Sequence, residues 1–205
     1  MDKFEEKKQL IKNAGIKMFG AYGFNKTTLE DIAGTLGMKK NSLYYYYESK
    51  EALFYDIISS EVKDHIEMQN AVYEKNISAE KKIYEILNNI VLFMKDRTSK
   101  YSIRVKSYIE ITKAIRNLHS EFKQGECNLM SNILSDGIKN GEFKKHNVKQ
   151  LAEDFKTLIE SITVASFSLS DSEFVNEIDY DTISATIVRM VKYIIDGIKL
   201  NKGKI

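Results

Sequence analysis

Proline is missing from all 205 residues, so no position carries a locked φ or a missing amide that would bar it from a helix interior. Long apolar runs are missing as well. No window approaches 18 uncharged apolar residues, which excludes a membrane-spanning helix. Cysteine occurs once, as Cys127, so an internal disulfide is impossible and the chain suits a reducing cytoplasm. The N-terminal MDKFEEKKQL mixes acid and base without an apolar core, an arrangement unlike a secretion signal. No glycine-rich phosphate loop, G-x-S-x-G or H-E-x-x-H motif occurs. His65, His119 and His146 lie far apart, without cysteine or carboxylate at ligand spacing. Neither an enzyme, a bound metal nor a cofactor is therefore expected. The net charge of +2 is close to neutral and decides nothing about nucleic acid.

What remains is helical periodicity. Leu, Ile, Lys and Glu recur at helix spacing throughout, which predicts an all-α fold of about nine helices. A first helix spans about Lys3 to Gly20, with Leu10, Ile11, Ala14, Met18 and Phe19 on its apolar stripe and a stop at Gly23. Residues 27–53 read TTLEDIAGTLGMKKNSLYYYYESKEAL. Thr27 with Glu30 three residues on suggests a capping box, and Leu29, Ile32, Ala33 and Leu36 share one helical face. Gly37 supplies the stop, since a helix end commonly needs a positive φ. Met38 and Leu43 then anchor a second short helix, turning Lys39, Lys40, Asn41 and Ser42 outward. This is the pattern of a helix-turn-helix, and its outward groups are donors to phosphates and base edges. An ordinary helical hairpin is the competing reading.

From Ser49 a long helix runs to about Tyr73, a length of roughly 36 Å, with no flexible linker. Lys50 in its first turn opposes the helix dipole and points to an anionic neighbour. Ser78 caps a further helix that Lys95 to Ser99 should break. Helices over about 100–116 and 118–140 follow, the latter ending at GIKNGEF. Two last helices, about 148–169 and 181–199, are apolar over a wide arc, which suggests a partner surface as well as a core.

With these segments laid out, the chain resembles the tetracycline-repressor (TetR) family of bacterial transcription regulators. The likeness rests on Ile11–Ala14–Met18–Phe19, Gly23–Phe24, Thr28–Leu29–Glu30–Asp31–Ile32–Ala33, Gly37 to Tyr47 and Ser49–Lys50–Glu51–Ala52–Leu53. It implies a three-helix DNA-binding domain over 1–48 and a helical ligand-binding and dimerisation domain over 49–205. Two departures stand out: Lys39 takes a capping position usually held by Ser or Thr, and Asn41 stands where glycine is frequent.

The resemblance further implies DNA contacts from Thr27, Thr28, Lys39, Lys40, Asn41, Ser42, Tyr44, Tyr45, Tyr46 and Lys50. Donor chemistry assigns Thr28, Tyr45, Tyr46 and Lys50 to phosphates, and Lys40, Asn41, Ser42 and Tyr44 to base edges. Tyr47 and Leu43 are read as core. An effector cavity among the middle helices would draw on Phe93, Arg104, Tyr108, Phe122, Met130 and Phe155, with plain core as the alternative for each. Arg104 and Tyr108, four apart, would form a polar handle inside it, unless Arg104 is simply solvated. The last two helices would pair with their two-fold mates through Phe155, Ile159, Ile162, Ile187, Val191 and Ile194.

The expectation is a cytoplasmic bacterial homodimer, associated with the nucleoid when bound, that represses from a palindromic operator until an unidentified small molecule releases it. An activator or a ligand-independent DNA binder of the same fold is the alternative. An all-α carrier or enzyme is the rival of a different class.

Overall fold

The periodicity is realised almost throughout: among the described residues the chain forms nine α-helices and one short 3-10 turn, Val175–Glu177. The computed structural model describes residues 2–100, 102–118 and 120–200, the side chains at 100, 113–118 and 120–126 excepted. The helices are α1 Lys3–Tyr22, α2 Leu29–Thr35, α3 Lys40–Tyr44, α4 Lys50–Tyr73, α5 Ala79–Lys100, α6 Val105–Leu118, α7 Ser120–Lys139, α8 Val148–Ser168 and α9 Tyr180–Ile198.

Two compact units are present, neither continuous in sequence. The first comprises Met1–Lys63, Asp96–His119 and Asp171–Ile178; the second comprises Asp64–Lys95, Ser120–Ser170 and Asp179–Ile205. Helix α4 starts in the first and finishes in the second without interruption.

In the first unit, α1 buries Ile11 and Phe19 against Leu29, Ile32 and Ala33 of α2, Leu43 of α3, and Leu53, Phe54 and Ile57 of α4. Burial of each such aliphatic or aromatic side chain contributes about 1.5–3 kcal/mol, so this one core holds the two very short helices α2 and α3 in place. It has to, because helices of five and seven residues have no stability of their own. Leu10, assigned above to the apolar stripe of α1, instead faces outward and is half exposed. The buried arc is narrower than the sequence stripe, because only one side of α1 meets its neighbours.

The boundary between α5 and α6 also differs from expectation. Lys95 to Ser99 do not break α5, which continues to Lys100. That stretch holds no glycine or proline, Thr98 is buried, and Arg97 pairs with Glu61 at 2.9 Å. Tertiary partners sustain the helix where composition alone suggested a gap. Between α5 and α6 the described residues Ser102 to Arg104 lie outside any helix, and Arg104 bridges to Phe174 as a single antiparallel pair.

The second unit packs α7 on α8 and α8 on α9. Its interior holds Ile83, Ile86 and Leu87 of α5, Ile133 and Leu134 of α7, Phe155 and Phe167 of α8, and Ile187, Val191 and Ile195 of α9. The turn after α7 closes at Gly141, whose φ of 71° suits the glycine-bearing stop read from the sequence.

Candidate nucleic-acid interface

Helix α2 begins one residue later than the capping pattern suggested. Thr28 is the N-cap, and its partner is Asp31, not Glu30: Asp31 N–H donates to Thr28 Oγ1 at 3.1 Å while Thr28 N–H donates to Asp31 Oδ2 at 2.9 Å. The Thr28 hydroxyl also donates to Asp31 Oδ2 at 2.6 Å, and these hydrogen bonds hold the Asp31 carboxyl below the usual carboxylate range.

The residue displaced from that role is Thr27. It is only 1% exposed, and its hydroxyl donates to Gly23 O at 2.8 Å and toward Met18 O at 3.3 Å. A buried hydroxyl engaged in this way cannot reach a phosphate, which takes Thr27 off the contacting face. Its work is to tie the end of α1 to the start of α2.

The turn between α2 and α3 follows from Gly37, which sits at φ 62°. Gly37 N–H donates to Gly34 O at 3.2 Å, and Met38 N–H reaches back to Ala33 O at 2.9 Å. A side chain at that φ would be strained, so the reversal needs glycine. Lys39 is the N-cap of α3 and makes no side-chain capping bond, in keeping with the departure noted in the sequence.

Leu43 and Tyr47 point into the core, and this fixes the rotation of α3. Thr28, Lys39, Lys40, Asn41, Ser42, Tyr44 and Tyr45 are consequently all exposed. Lys40 pairs with Glu30 at 3.0 Å, an exposed bridge between α3 and α2 that raises the Lys40 pKa. The four tyrosines diverge: Tyr44 and Tyr45 face solvent, Tyr46 is half-buried, and Tyr47 is core as read from the sequence.

Lys50 is already engaged. Its ammonium donates to Phe24 O at 2.8 Å and stands 4.4 Å from the centre of the Phe24 ring. Two of its three N–H bonds remain for an anion, so the group is steered rather than used up.

Sequence reasoning missed Phe4. Its ring stacks on Tyr46 with centroids 4.9 Å apart and meets Tyr45 edge-on at 5.9 Å. The first turn of α1 thereby braces the residues that follow α3. No local pattern signals a pairing across 40 residues.

A short helix-turn-helix with one polar, donor-rich face is thus in place, and residues 11–57 match the family described as bacterial regulatory proteins, tetR family. The chain belongs to the TetR family. Like its relatives, this TetR-family chain is a DNA-binding transcriptional regulator. It is 27% identical over 153 residues to the biofilm operon icaADBC negative transcriptional regulator IcaR of Staphylococcus epidermidis, covering 75% of this chain and 77% of that protein. A crystal structure of a transcriptional regulator from Cytophaga hutchinsonii superposes with a TM-score of 0.71 at 26% identity, over 95% of this chain and 99% of the other. A regulator from Saccharomonospora viridis, solved in complex with choline, shares the fold at 13% identity and a TM-score of 0.68, over 92% and 97% of the two chains.

The effector candidates of this TetR-family chain are divided between the two units. Phe93, Met130 and Phe155 belong to the second, where Met130 and Phe155 are buried and the Phe93 ring lies 4.9 Å from that of His65. Arg104 and Tyr108 belong to the first. Arg104 is half exposed, paired with Glu173 and set over the Phe174 ring. It is thus partly solvated and ion-paired, and it lines a cavity of the first unit together with Tyr22, Lys106 and Phe174. The side chain of Phe122 lies outside the described residues.

Among the dimer candidates, Phe155, Ile187 and Val191 are buried inside the second unit, which removes them from an outward surface. Their apolar arc is wider than one interface and is partly used by α8 and α9 on each other. The exposed positions are instead Ser161 and Ala165 on α8, Leu169 at its C-cap, and Met190, Tyr193 and Gly197 on α9, with Ile162 and Ile194 half-buried among them. Ile159 is half-buried beside them. Among the described residues no group of His, Cys, Asp and Glu is placed to hold a metal ion, and no helix is long and apolar enough to cross a membrane.

Proposed function

We propose that this regulator is a homodimeric repressor that holds a palindromic operator and is released by a small molecule. The observation that carries the reading is the face of α3: Leu43 and Tyr47 anchor it, and every other residue from Lys39 to Tyr45 is exposed. Lys39, Lys40, Asn41, Ser42 and Tyr44 would enter the major groove. Thr28, Tyr45, Tyr46 and Lys50 would hold the flanking phosphates. A bacterial, cytoplasmic protein found at the nucleoid when bound follows from this role.

The dimer is supported by the outward stripe on α8 and α9. Leu169 is 84% exposed and Tyr193 65%, a cost in water that pairing with a second copy removes. Such a two-fold pair places its recognition helices about one turn of DNA apart, or a multiple of it, and so matches a palindrome.

Release by a ligand is supported by α4, one 24-residue helix that begins in the first unit and ends in the second. A molecule bound beside Phe93, Met130 or Phe155 would act through that helix. A preference of about 1–3 kcal/mol for the non-binding geometry changes operator affinity roughly 5–150-fold. The related IcaR is named as a negative regulator and the S. viridis protein holds choline, which accords with both halves of the reading.

The test is fluorescence anisotropy with the DNA flanking the protein's own gene, against random duplex, at several salt concentrations. Specific binding with a steep negative salt slope is expected. A flat salt response, or equal affinity for random DNA, overturns the proposal.

A further inference from the structure

Within the first unit a cavity of about 520 Å³ lies beside the turn that joins α1 to α2. Its size falls in the range of small-molecule sites. Of the effector candidates Arg104 lines it and those of the second unit do not, and the helix-turn-helix function makes no use of it. The backbone next to its lining residues is paired: Arg104 N–H donates to Gly20 O at 3.0 Å, Val105 N–H to Glu173 O at 3.1 Å and Val175 N–H to Ile103 O at 2.9 Å. These bonds fix the positions of Arg104 and Phe174 at its edge.

The lining is chemically mixed in a directed way. Lys26 and Lys106 line it, and neither has an ion pair among the described residues. Ser107, in the first turn of α6, also lines it; the residue is 5% exposed, and no hydrogen bond among the described residues engages its hydroxyl. The first turn of α6 carries no acidic side chain, and helix starts leave amides free for an anion. Tyr22 and Phe174 contribute aromatic rings to the same cavity, and Glu110 an acceptor.

We propose that this cavity is a second effector site, inside the DNA-binding unit, for a nucleoside phosphate or a similar phosphate ester with a planar body. Lys26, Lys106, the Ser107 hydroxyl and the amides of Lys106 and Ser107 take the phosphate. Tyr22 and Phe174 take the flat portion, and Glu110 accepts from a hydroxyl or amine of the ligand.

Occupancy has a short route to the groove-reading helices. Glu110 Oε2 lies 2.7 Å from where a Cβ of Gly23 would stand, and Gly23 O is the acceptor that holds Thr27, next to the N-cap of α2. A ligand engaging Glu110 thus bears on the turn that sets α2.

The experiment is calorimetric titration of the full chain with AMP at low ionic strength, with adenosine and inorganic phosphate in parallel. Saturable binding of one AMP per chain is expected, tighter than either fragment. Lys106→Glu should weaken it about tenfold or more, and Ser107→Ala severalfold. Lys149→Glu, an exposed reversal on α8, should leave it unchanged. Circular dichroism melts of each variant separate lost binding from lost folding; where Ser107→Ala melts early, Lys106→Glu at the surface decides alone. The assignment is overturned by no saturable AMP binding, by adenosine binding as tightly as AMP, or by equal weakening in Lys106→Glu and Lys149→Glu.

Discussion

The hydroxyl of Tyr47 donates a 2.7 Å hydrogen bond to Asp56 Oδ2, and Lys12 and Lys8 close on the same carboxylate at 3.1 and 3.2 Å. One acid thereby joins α1, the end of the tyrosine run and α4. Burial pushes the Asp56 carboxyl up, but the bonds from Tyr47, Lys12 and Lys8 outweigh it and leave the pKa below its ordinary 3.8. Burial and the same bond raise the Tyr47 phenol. A carboxyl depressed on folding stabilises the protein above its unfolded pKa, and the contribution disappears as pH falls through the lower folded value. Asp56→Asn should cost about 1–2 kcal/mol at pH 7, after allowance for partial exposure. Urea midpoints of both proteins at pH 7 and near pH 3 check this; a difference that fails to shrink in acid contradicts it.

Thr27 should act on stability and leave base preference alone. Thr27→Val leaves the Gly23 carbonyl without its hydroxyl donor, at a cost of about 1–3 kcal/mol, while Thr27→Ser retains most of the bond. Denaturant unfolding measures the cost. A change in preferred operator bases with normal stability would place Thr27 on the DNA after all.

Lys50 and Asn41 should separate cleanly. Lys50→Ala is expected to weaken binding to all duplexes alike and to shallow the salt slope by about one unit. Asn41→Ala should change which base is preferred at one position, by about 1–3 kcal/mol. Binding-site selection on both variants tells them apart, and sequence-blind losses in both refute the groove assignment.

Outward and inward residues of α8 and α9 should give different defects. Leu169→Glu combined with Tyr193→Glu is expected to yield a folded monomer in sedimentation velocity, with weakened operator binding. Ile187→Ala should lower stability by about 2–5 kcal/mol instead. A double variant that stays dimeric rules out this stripe.

Much of this was legible in the residues themselves. The bounds of α8 and α9, the stop at Gly37 and the inward turn of Tyr47 follow from periodicity and from the backbone freedom of glycine, both local properties. Capping was legible only to within one residue, because Thr27–Glu30 and Thr28–Asp31 offer the same spacing. The choice between them was made by burial of Thr27 under the α1–α2 turn. Likewise nothing near Lys95 signals that α5 continues, since the partner that sustains it, Glu61, lies on another helix.

By itself the sequence determined where most helices form, which faces are apolar and that residues 27–53 hold two short helices around a glycine turn. Those features depend on side chains three or four positions apart. Only the tertiary structure decided that Phe4 braces Tyr46, that Lys50 is held by Phe24, and that Phe155, Ile187 and Val191 are core. Such pairings join residues that local spacing cannot relate, and packing alone determines which apolar arc is consumed inside the chain and which is left for a partner.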